Sequence, residues 1–240
     1  MTGGRTFEYS GSELDLFANA VNWRDYWSSR VRPFLGYRVL EVGAGIGTIT
    51  RLLHEPGREW VAVEPDSHLA DRIRTWANDP PEAGLSVLTG SIADVPAGET
   101  FDSILYIDVL EHIEDDVGEV ATAFAKLAPG GRIIVLAPAH PWLFTSFDES
   151  IGHFRRYNRA MMRDIQPAGA AELTCEYLDS VGIVASTGNK LLLRSASPTK
   201  GQIQMWDARM VPISRRIDGL LGHRLGKSLL TVWRKSAAGQ

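Results

Sequence analysis

Cysteine is almost absent from this chain, since Cys175 is the only one in 240 residues. A single thiol excludes an internal disulfide framework and a zinc site built from several cysteines. No apolar run approaches the length of about 18 residues that a membrane span requires, and the N-terminal stretch lacks the basic and then apolar pattern of a signal peptide. We therefore expect a cytoplasmic protein without a membrane span.

The charged residues are unevenly distributed. Residues 1–186 hold 15 basic and 27 acidic side chains, whereas residues 187–240 hold 10 basic and 2 acidic ones. The basic segment suits an anionic ligand or weak association with an anionic membrane surface, although a solvated cationic face is the commoner explanation for such a segment. No recognisable nucleic-acid-binding module accompanies the basic residues, so we expect no nucleic-acid partner.

The most informative stretch is VLEVGAGIGTIT at residues 39–50. An apolar run that breaks into Gly43, Gly45 and Gly47 and then resumes predicts a strand, a glycine turn and a helix. Glycines at such a turn let the backbone approach a ligand, and the N–H groups that begin the helix favour negative charge. A dinucleotide fingerprint would need a small residue at position 48, where this chain has Thr48. The stretch therefore favours a different nucleotide-like ligand.

An acidic residue ends the next apolar run. Residues 60–63 lead into Glu64, Pro65 and Asp66, and Glu64 lies 21 residues beyond Gly43. That separation fits a strand–helix–strand unit with a carboxylate at the end of its second strand, where it can accept hydrogen bonds from ribose hydroxyls. The alternative for Glu64 is a solvated carboxylate, and this is the only role that we expect for Asp66.

Strand and helix patterns alternate five times along the chain. Apolar runs predict strands at residues 39–42, 60–63, 85–88, 101–107, 132–137, 172–178 and 228–233. Helices are predicted at residues 13–34, at 67–76 with Ser67 as the cap, at 115–127, and at 159–166 with Asn158 as the cap. Alternation of this kind predicts a parallel sheet that binds ligands beyond the carboxyl ends of its strands.

Two strings carry a resemblance to a known family. The ExGxGxG pattern headed by Glu41 and the string FDSILYIDVLEHI at residues 101–113 resemble motifs of class I S-adenosylmethionine-dependent methyltransferases. The resemblance implies an α/β, Rossmann-like, doubly wound sheet of seven strands, mostly parallel with an antiparallel last strand and helices on both faces. It also implies S-adenosylmethionine as the cofactor, with methyl transfer by in-line displacement that leaves S-adenosylhomocysteine.

This resemblance assigns the cofactor-binding residues. We expect cofactor contacts from Glu41, Gly43, Ala44, Gly45, Gly47, Glu64, Pro65, Ser91, Ile92, Asp108 and Val109. The family often has an acidic residue at the position of Ser91, so adenine contact falls here to Ser91 and Ile92. The expected organisation is a helical cap at 1–36, a cofactor-binding core at 37–180, a basic insert or lid at 181–226, and the last strand and tail at 227–240, all in one structural domain.

Residues 138–157 are predicted to form a long loop beside the transferable methyl group. Their DESIGHFRRY segment resembles the DExxGHxRRY string of a bacterial subgroup of small-molecule methyltransferases. We take His153, Asp148 and Tyr157 as candidate catalytic residues, because an imidazole or carboxylate can accept the proton of an attacking hydroxyl or amine. Arg155 and Arg156 are candidates for binding an anionic acceptor, and the alternative is that the charged loop residues pair with one another.

Trp23, Tyr26 and His112 complete the predicted acceptor site. No second histidine follows four residues after His112, so we expect no metal. The expected acceptor is a small anionic metabolite that bears a phosphate, diphosphate or carboxylate, isoprenoids included. A neutral aromatic or sugar-like acceptor methylated on oxygen or nitrogen is the first alternative, and a non-catalytic cofactor-binding protein is the second. Both a monomer and a homodimer remain open.

Overall fold

Seven strands form one sheet in the computed structural model, which describes residues 19–78, 81–188 and 199–237. The strands are β1 Arg38–Val42, β2 Glu59–Glu64, β3 Leu85–Thr89, β4 Phe101–Ile107, β5 Leu127–Pro138, β6 Ala170–Leu178 and β7 Ser228–Lys235. Their order is β3-β2-β1-β4-β5-β7-β6. Strands β1 to β5 pair in parallel, and β7 is antiparallel to both of its neighbours. The predicted mostly parallel sheet with an antiparallel last strand is confirmed.

Helices connect the strands. The α-helices are α1 Val21–Val31, α2 Thr48–Leu53, α3 Ser67–Ala77, α4 Asp116–Ala125, α5 Ser146–Ser150, α6 Arg159–Asp164, α7 Ser180–Gly188, α8 Lys200–Met205 and α9 Val211–Ile217. A π-helical turn, Trp206–Met210, joins α8 to α9, and short 3-10 turns occur at Arg32–Phe34, Ile92–Asp94, Leu110–His112 and Pro141–Leu143. Within the part of the chain that is described, no helix has the length and apolar character to cross a bilayer.

The central strands are apolar because both faces of the sheet are covered. On one face Leu40 of β1 belongs to a buried cluster that includes Val120 of α4. On the other face Val39 of β1 shares a second cluster with Trp27 of α1 and Leu53 of α2. The prediction of helices on both faces is therefore confirmed.

The predicted boundaries need two corrections. The cap of α3 is Asp66, whose carboxylate accepts from the backbone N–H groups of His68 and Leu69 at 2.8 and 3.2 Å, whereas Ser67 is the first residue of the helix. Residues 138–157 are not an unbroken loop, because a 3-10 turn and α5 form within them. The helix expected over residues 13–34 is described only from α1 onward. Asn158 caps α6 as predicted, by accepting from Met161 N–H at 3.0 Å.

Some of the predicted segments extend outside the described residues. They are residues 1–18 of the helical cap, which include Leu14 and Phe17, residues 189–198 of the basic insert, and residues 238–240 of the tail. The described part of the insert holds α7 to α9, the longest series of helices between two consecutive strands.

Buried aspartates connect α1 to the insert. Asp207 accepts from Trp23 N–H at 2.8 Å. Asp218 is fully buried and accepts from the Tyr26 hydroxyl at 2.7 Å and from the backbone N–H groups of residues 179 and 180 at 2.7 and 3.1 Å. Burial and the adjoining Asp218 carboxylate raise the pKa of Tyr26, so its hydroxyl stays protonated and donates. One carboxylate thus holds together α1, the start of α7 and the end of α9.

We expect Asp218→Ala to lower the free energy of unfolding by about 3–5 kcal/mol. The substitution leaves two buried backbone N–H groups and one buried hydroxyl without an acceptor, at about 1–3 kcal/mol for each group. Tyr26→Phe is the matched control, because it removes one donor and leaves the carboxylate with its backbone partners, and about 1–2 kcal/mol is expected. Urea unfolding measures both. Equal losses would contradict the bridging role of Asp218.

Candidate functional site

The turn after β1 has a backbone that only glycine adopts easily. Gly43, Gly45 and Gly47 have φ values of 70°, 57° and 78°. A Cβ atom on Gly43 would lie 2.6 Å from a Val109 methyl group, and one on Gly47 would lie 2.7 Å from the Trp76 ring. Positive φ and these close approaches together require glycine. Val109 is thereby placed directly beside the turn, as the prediction of a shared cofactor site requires.

Glu64 ends β2 beside the same turn. Its buried carboxylate accepts from Gly45 N–H at 2.7 Å and from Asp66 N–H at 2.9 Å, and Ala44 N–H donates to the Val63 carbonyl at 3.0 Å. Burial raises the pKa of Glu64, although the two backbone donors oppose that rise. The carboxylate predicted to bind ribose is therefore held in a fixed orientation against the glycine turn.

Glu41 has different surroundings from those of Glu64. Its Oε2 atom accepts from the Thr50 hydroxyl at 2.6 Å and from the Trp60 indole N–H at 2.8 Å. Its Oε1 atom is buried and has no partner among the described residues. Burial raises the pKa of Glu41 to about 7, and the two hydrogen bonds oppose the rise. These contacts join β1 to α2 and β2, and a direct role in cofactor binding stays a prediction.

The two residues predicted to contact adenine differ in accessibility. Ser91 is exposed and directly precedes the 3-10 turn Ile92–Asp94, and its hydroxyl donates to the Asp94 carboxylate at 2.9 Å. The Ile92 side chain is 2% exposed and belongs to the apolar core. Pro65 is exposed beyond the end of β2. Ser91 and Pro65 are thus accessible to a ligand, whereas the Ile92 side chain is covered by the apolar core.

Asp108 follows β4 in a left-handed conformation with φ 53°. Solvent reaches this residue, yet protein surrounds its carboxyl group closely enough that burial raises the pKa of Asp108 to about 6. The positive charges of His153, Lys227 and Arg156 oppose that rise. Asp108 therefore lies in a recess between the glycine turn and the loop after β5, where the charges of His153, Lys227 and Arg156 reach its carboxyl group.

Asp148 organises the loop after β5. Its carboxylate accepts from the backbone N–H and hydroxyl of Thr145 at 2.8 and 2.9 Å, and from Arg156 through two hydrogen bonds of 2.8 and 3.0 Å. The His153 Nδ1 atom lies 3.1 Å from Asp148 Oδ1. Two of the three predicted catalytic residues are thus in contact, and Arg156, predicted to bind the acceptor, is committed to the same carboxylate.

Arg155 and Tyr157 share a second buried carboxylate. Asp116 lies 2.5 Å from Arg155 Nη1 and accepts from the Tyr157 hydroxyl at 2.8 Å. Tyr157 is fully buried, and burial together with Asp116 raises the pKa of its hydroxyl. The pair of Asp148 and Arg156 matches the structural alternative set out for the loop charges, whereas Arg155 pairs with a residue outside the loop. The acceptor roles of Arg155 and Arg156 and the catalytic role of Tyr157 stay predictions.

Glu111, His112 and His153 meet where this loop contacts the turn after β4. Phe154 N–H donates to the Glu111 carbonyl at 2.8 Å, and the two histidine rings are 4.5 Å apart between centroids. Burial and the nearby Asp108 carboxylate raise the pKa of Glu111, whereas burial and the charge of His153 lower the pKa of His112 to about 4. No second histidine follows four residues after His112, and the loop supplies His153 instead, 41 positions further along the chain, where no short-range pattern indicates it.

Lys227 is a further residue near this site that was not among the predicted site residues. Its Nζ atom lies 3.5 Å from the Trp206 ring centroid and 3.9 Å from Asp179 Oδ2, and burial lowers its pKa. The ring of Trp23, a predicted acceptor residue, lies 5.9 Å from that of Trp206. Because β7 is antiparallel, its first residues lie at the edge where the parallel strands end. The prediction of an antiparallel last strand could therefore have indicated that Lys227 lies at this edge of the sheet.

A family model for the methyltransferase domain matches residues 18–177, which is more than half of the chain. The chain belongs to this methyltransferase family. The methyltransferase is 33% identical over 151 residues to the ubiquinone biosynthesis O-methyltransferase of Xylella fastidiosa, which covers 53% of this chain and 59% of that protein. It spans about half the length of the curated relatives that it matches.

Solved methyltransferase structures share the fold. One is the N-methyltransferase NodS of Bradyrhizobium japonicum in complex with S-adenosylhomocysteine, with a TM-score of 0.61, 14% identity, and coverage of 95% of this chain and 94% of that one. Another is phosphoethanolamine N-methyltransferase 2 of Haemonchus contortus in complex with phosphomonomethylethanolamine and S-adenosylhomocysteine, with a TM-score of 0.63, 15% identity, and coverage of 94% and 58%. At these identities the likeness shows the fold alone.

The raised pKa of Glu41 predicts how the stability of the methyltransferase depends on pH. Its ordinary value of 4.5 rises to about 7 in the folded protein. The protonated carboxyl therefore contributes stability that is complete below pH 4.5 and is lost as the pH rises through 7. Relative to Glu41→Gln, the wild type should lose about 3 kcal/mol of unfolding free energy across this window. Denaturant unfolding at pH 4.5 and 8 measures the change, and a constant difference would contradict it.

Proposed function

We propose that this methyltransferase uses S-adenosylmethionine and acts on a small acceptor that carries an anionic group. The observation that carries the cofactor assignment is the Glu64 carboxylate bound to the N–H of Gly45 within a turn of three positive-φ glycines. This turn lies between β1 and β4, where the strand order reverses and open α/β sheets bind ligands. The S-adenosylhomocysteine complexes of two fold neighbours support the choice of cofactor.

The residues present fit such a cofactor. Gly43, Gly45 and Gly47 have no side chains, so none covers the backbone of the turn and a ligand can approach it closely. Glu64 offers two acceptor oxygens to a ribose, and Asp108 and Val109 border the turn on the side of β4. When bound, S-adenosylmethionine supplies a methyl group already activated on a sulfonium. The main work of the protein is then to align the acceptor, with proton removal where the acceptor is not yet anionic.

The anionic acceptor is supported by the charges around Asp108. The positive charges of Lys227 and Arg156 both act on the Asp108 carboxyl group. Neither residue belongs to β4 or to the turn after it, where Asp108 lies. Lys227 is 22% exposed in its side chain, so its ammonium group can reach both protein and ligand. A phosphate or carboxylate beside the ammonium group would gain a charge-assisted hydrogen bond. We assign Lys227, in addition to the predicted Arg155 and Arg156, to binding of the acceptor anion.

A second candidate is O-methylation of a neutral aromatic acceptor. The similarity to the ubiquinone biosynthesis O-methyltransferase of Xylella fastidiosa favours it. The same region offers flat surfaces, since the His140 ring stacks on Tyr177 at 4.7 Å between centroids and Trp206 lies against Lys227. In this case the acceptor must lose a proton during transfer, and His153 with Asp148 stays the predicted base.

Glu64→Ala should weaken S-adenosylhomocysteine binding at least tenfold. The carboxylate would otherwise accept hydrogen bonds from the ribose, and bonds to charged groups contribute about 1.5–3 kcal/mol each. Isothermal titration calorimetry measures the affinity. The matched control is Glu59→Ala, at the exposed start of the same strand, which should bind like the wild type. Similar affinities for both variants would remove Glu64 from the ribose site.

The acceptor class is tested by transfer of a labelled methyl group from S-adenosylmethionine to a fractionated metabolite extract. We expect the labelled product to bind an anion exchanger, and Lys227→Gln to raise the KM for that acceptor about tenfold, as expected for one charge-assisted hydrogen bond. Lys200→Gln, an exposed cation of the same basic segment, should leave the KM unchanged. Label in the flow-through, with equal KM values in both variants, would favour the neutral aromatic acceptor.

A further inference from the structure

We propose that Glu111, His112 and His153 bind a divalent transition-metal ion at the acceptor side of the recess. Glu111 and His112 belong to the 3-10 turn Leu110–His112 after β4, whereas His153 comes from the loop between α5 and α6. The turn and the loop are joined by the hydrogen bond from Phe154 N–H to the Glu111 carbonyl. Binding of the ion is independent of the proposed function, and only its role in catalysis rests on that function.

The donor atoms are spaced for one ion. Glu111 Oε1 lies 3.8 Å from His153 Nε2, and one ligand atom from each of the three residues lies within 4.8 Å of the others. Donors held at about 2.1 Å from a single ion lie about 3–4 Å apart. Small movements of side chains that are already in place would therefore complete the coordination.

Glu111 supplies the independent observation that points to a cation. Its side chain is fully buried, and neither carboxylate oxygen accepts a hydrogen bond from another residue in the described part of the chain. A buried carboxylate without a partner is strongly unfavourable in a folded protein. The positive charge of Arg156 reaches Glu111, but its guanidinium group donates its two hydrogen bonds to Asp148. A bound cation would provide the partner that the protein does not.

Neighbouring groups orient the histidines as metal ligands. Asp148 Oδ1 lies 3.1 Å from His153 Nδ1, so a proton on Nδ1 is shared with the carboxylate and the lone pair of Nε2 faces Glu111. His112 forms a hydrogen bond with the backbone of Gly152, which fixes the orientation of its ring. Carboxylate and carbonyl partners of this kind fix the orientation of histidine ligands in metal sites.

The donor set selects the class of ion. Two imidazoles and one carboxylate suit Zn²⁺, Fe²⁺ or Co²⁺, whereas Mg²⁺ and Ca²⁺ prefer sites built from oxygen atoms. Three protein ligands also leave a coordination position open, as in catalytic rather than structural zinc sites. Asp108 lies within electrostatic reach of Glu111.

The open position gives the ion a role in methyl transfer to oxygen. A hydroxyl group bound to the ion releases its proton to solvent more readily, because the metal stabilises the oxygen anion. The acceptor oxygen then forms the new bond to the methyl carbon, and the electron pair of the broken carbon–sulfur bond stays on the sulfur of S-adenosylhomocysteine. In this arrangement His153 holds the ion and does not act as a free base.

The binding test uses protein freed of metal with a chelator and titrated with Zn²⁺, with Co²⁺ as a spectroscopic probe. We expect one ion per chain, an increase in Tm with Zn²⁺, and cobalt bands typical of nitrogen and oxygen ligands. Glu111→Gln and His153→Ala should weaken binding at least a hundredfold. His68→Ala, an exposed histidine of α3, is the matched control and should bind like the wild type. Unchanged affinity in Glu111→Gln and His153→Ala, or equal affinity for Mg²⁺, would overturn the site.

The catalytic role has a separate readout. Methyl transfer that is lost with the chelator and restored by Zn²⁺ supports it, and transfer that persists after removal of the bound ion overturns it. Glu111→Gln should fold at least as stably as the metal-free wild type, because burial disfavours a charge at this position and the amide is neutral at every pH. S-adenosylhomocysteine binding by the metal-free protein distinguishes the two proposals. Retained binding with no metal site rejects only the ion, whereas lost binding in the presence of Zn²⁺ rejects the proposed cofactor.

Discussion

The Asp148 carboxylate determines the shape of the loop after β5. Burial alone would raise its pKa, but hydrogen bonds from His153 and Arg156 lower the pKa of Asp148 below its ordinary value, so it remains an anion. That anion gathers the cap of α5, an imidazole and a guanidinium group around one point. The position of His153 beside Glu111 follows from it. A neutral residue at position 148 would leave three donors without a shared acceptor, and the loop would lose its anchor.

The two sides of the recess use different kinds of contact. On the cofactor side, backbone N–H groups bind Glu64, and glycine allows the close approach. On the acceptor side, side chains from distant segments meet around Asp108 and Glu111. Backbone contacts depend on local geometry that many sequences can adopt, so they suit a common cofactor. Side-chain contacts change with single substitutions, so they suit an acceptor that differs between relatives.

The parts of the fold that were predictable depend on local patterns. The glycine turn and Glu64 lie within one strand–helix–strand unit, so their spacing along the chain was sufficient. The cap of α3 was wrong by one residue because Asp66 and Ser67 are both good caps, and only the path of the chain decides between them. The partners of the charged loop residues are distant in sequence. Asp116 precedes Arg155 by 39 positions, and no short-range pattern contains that contact.

The antiparallel strand β7 separates the assembly of the two sides in time. β7 lies between β5 and β6 and pairs with both, and it begins directly after Lys227. As the ribosome releases the chain, residues 38–138 can pair in parallel and complete the glycine turn with Glu64 before Lys227 has been synthesised. The contact between Trp206 and Lys227 can form only after residues 228–235 have paired as β7 between β5 and β6. A nascent chain is therefore able to complete the glycine turn with Glu64 about ninety residues before the contact between Trp206 and Lys227.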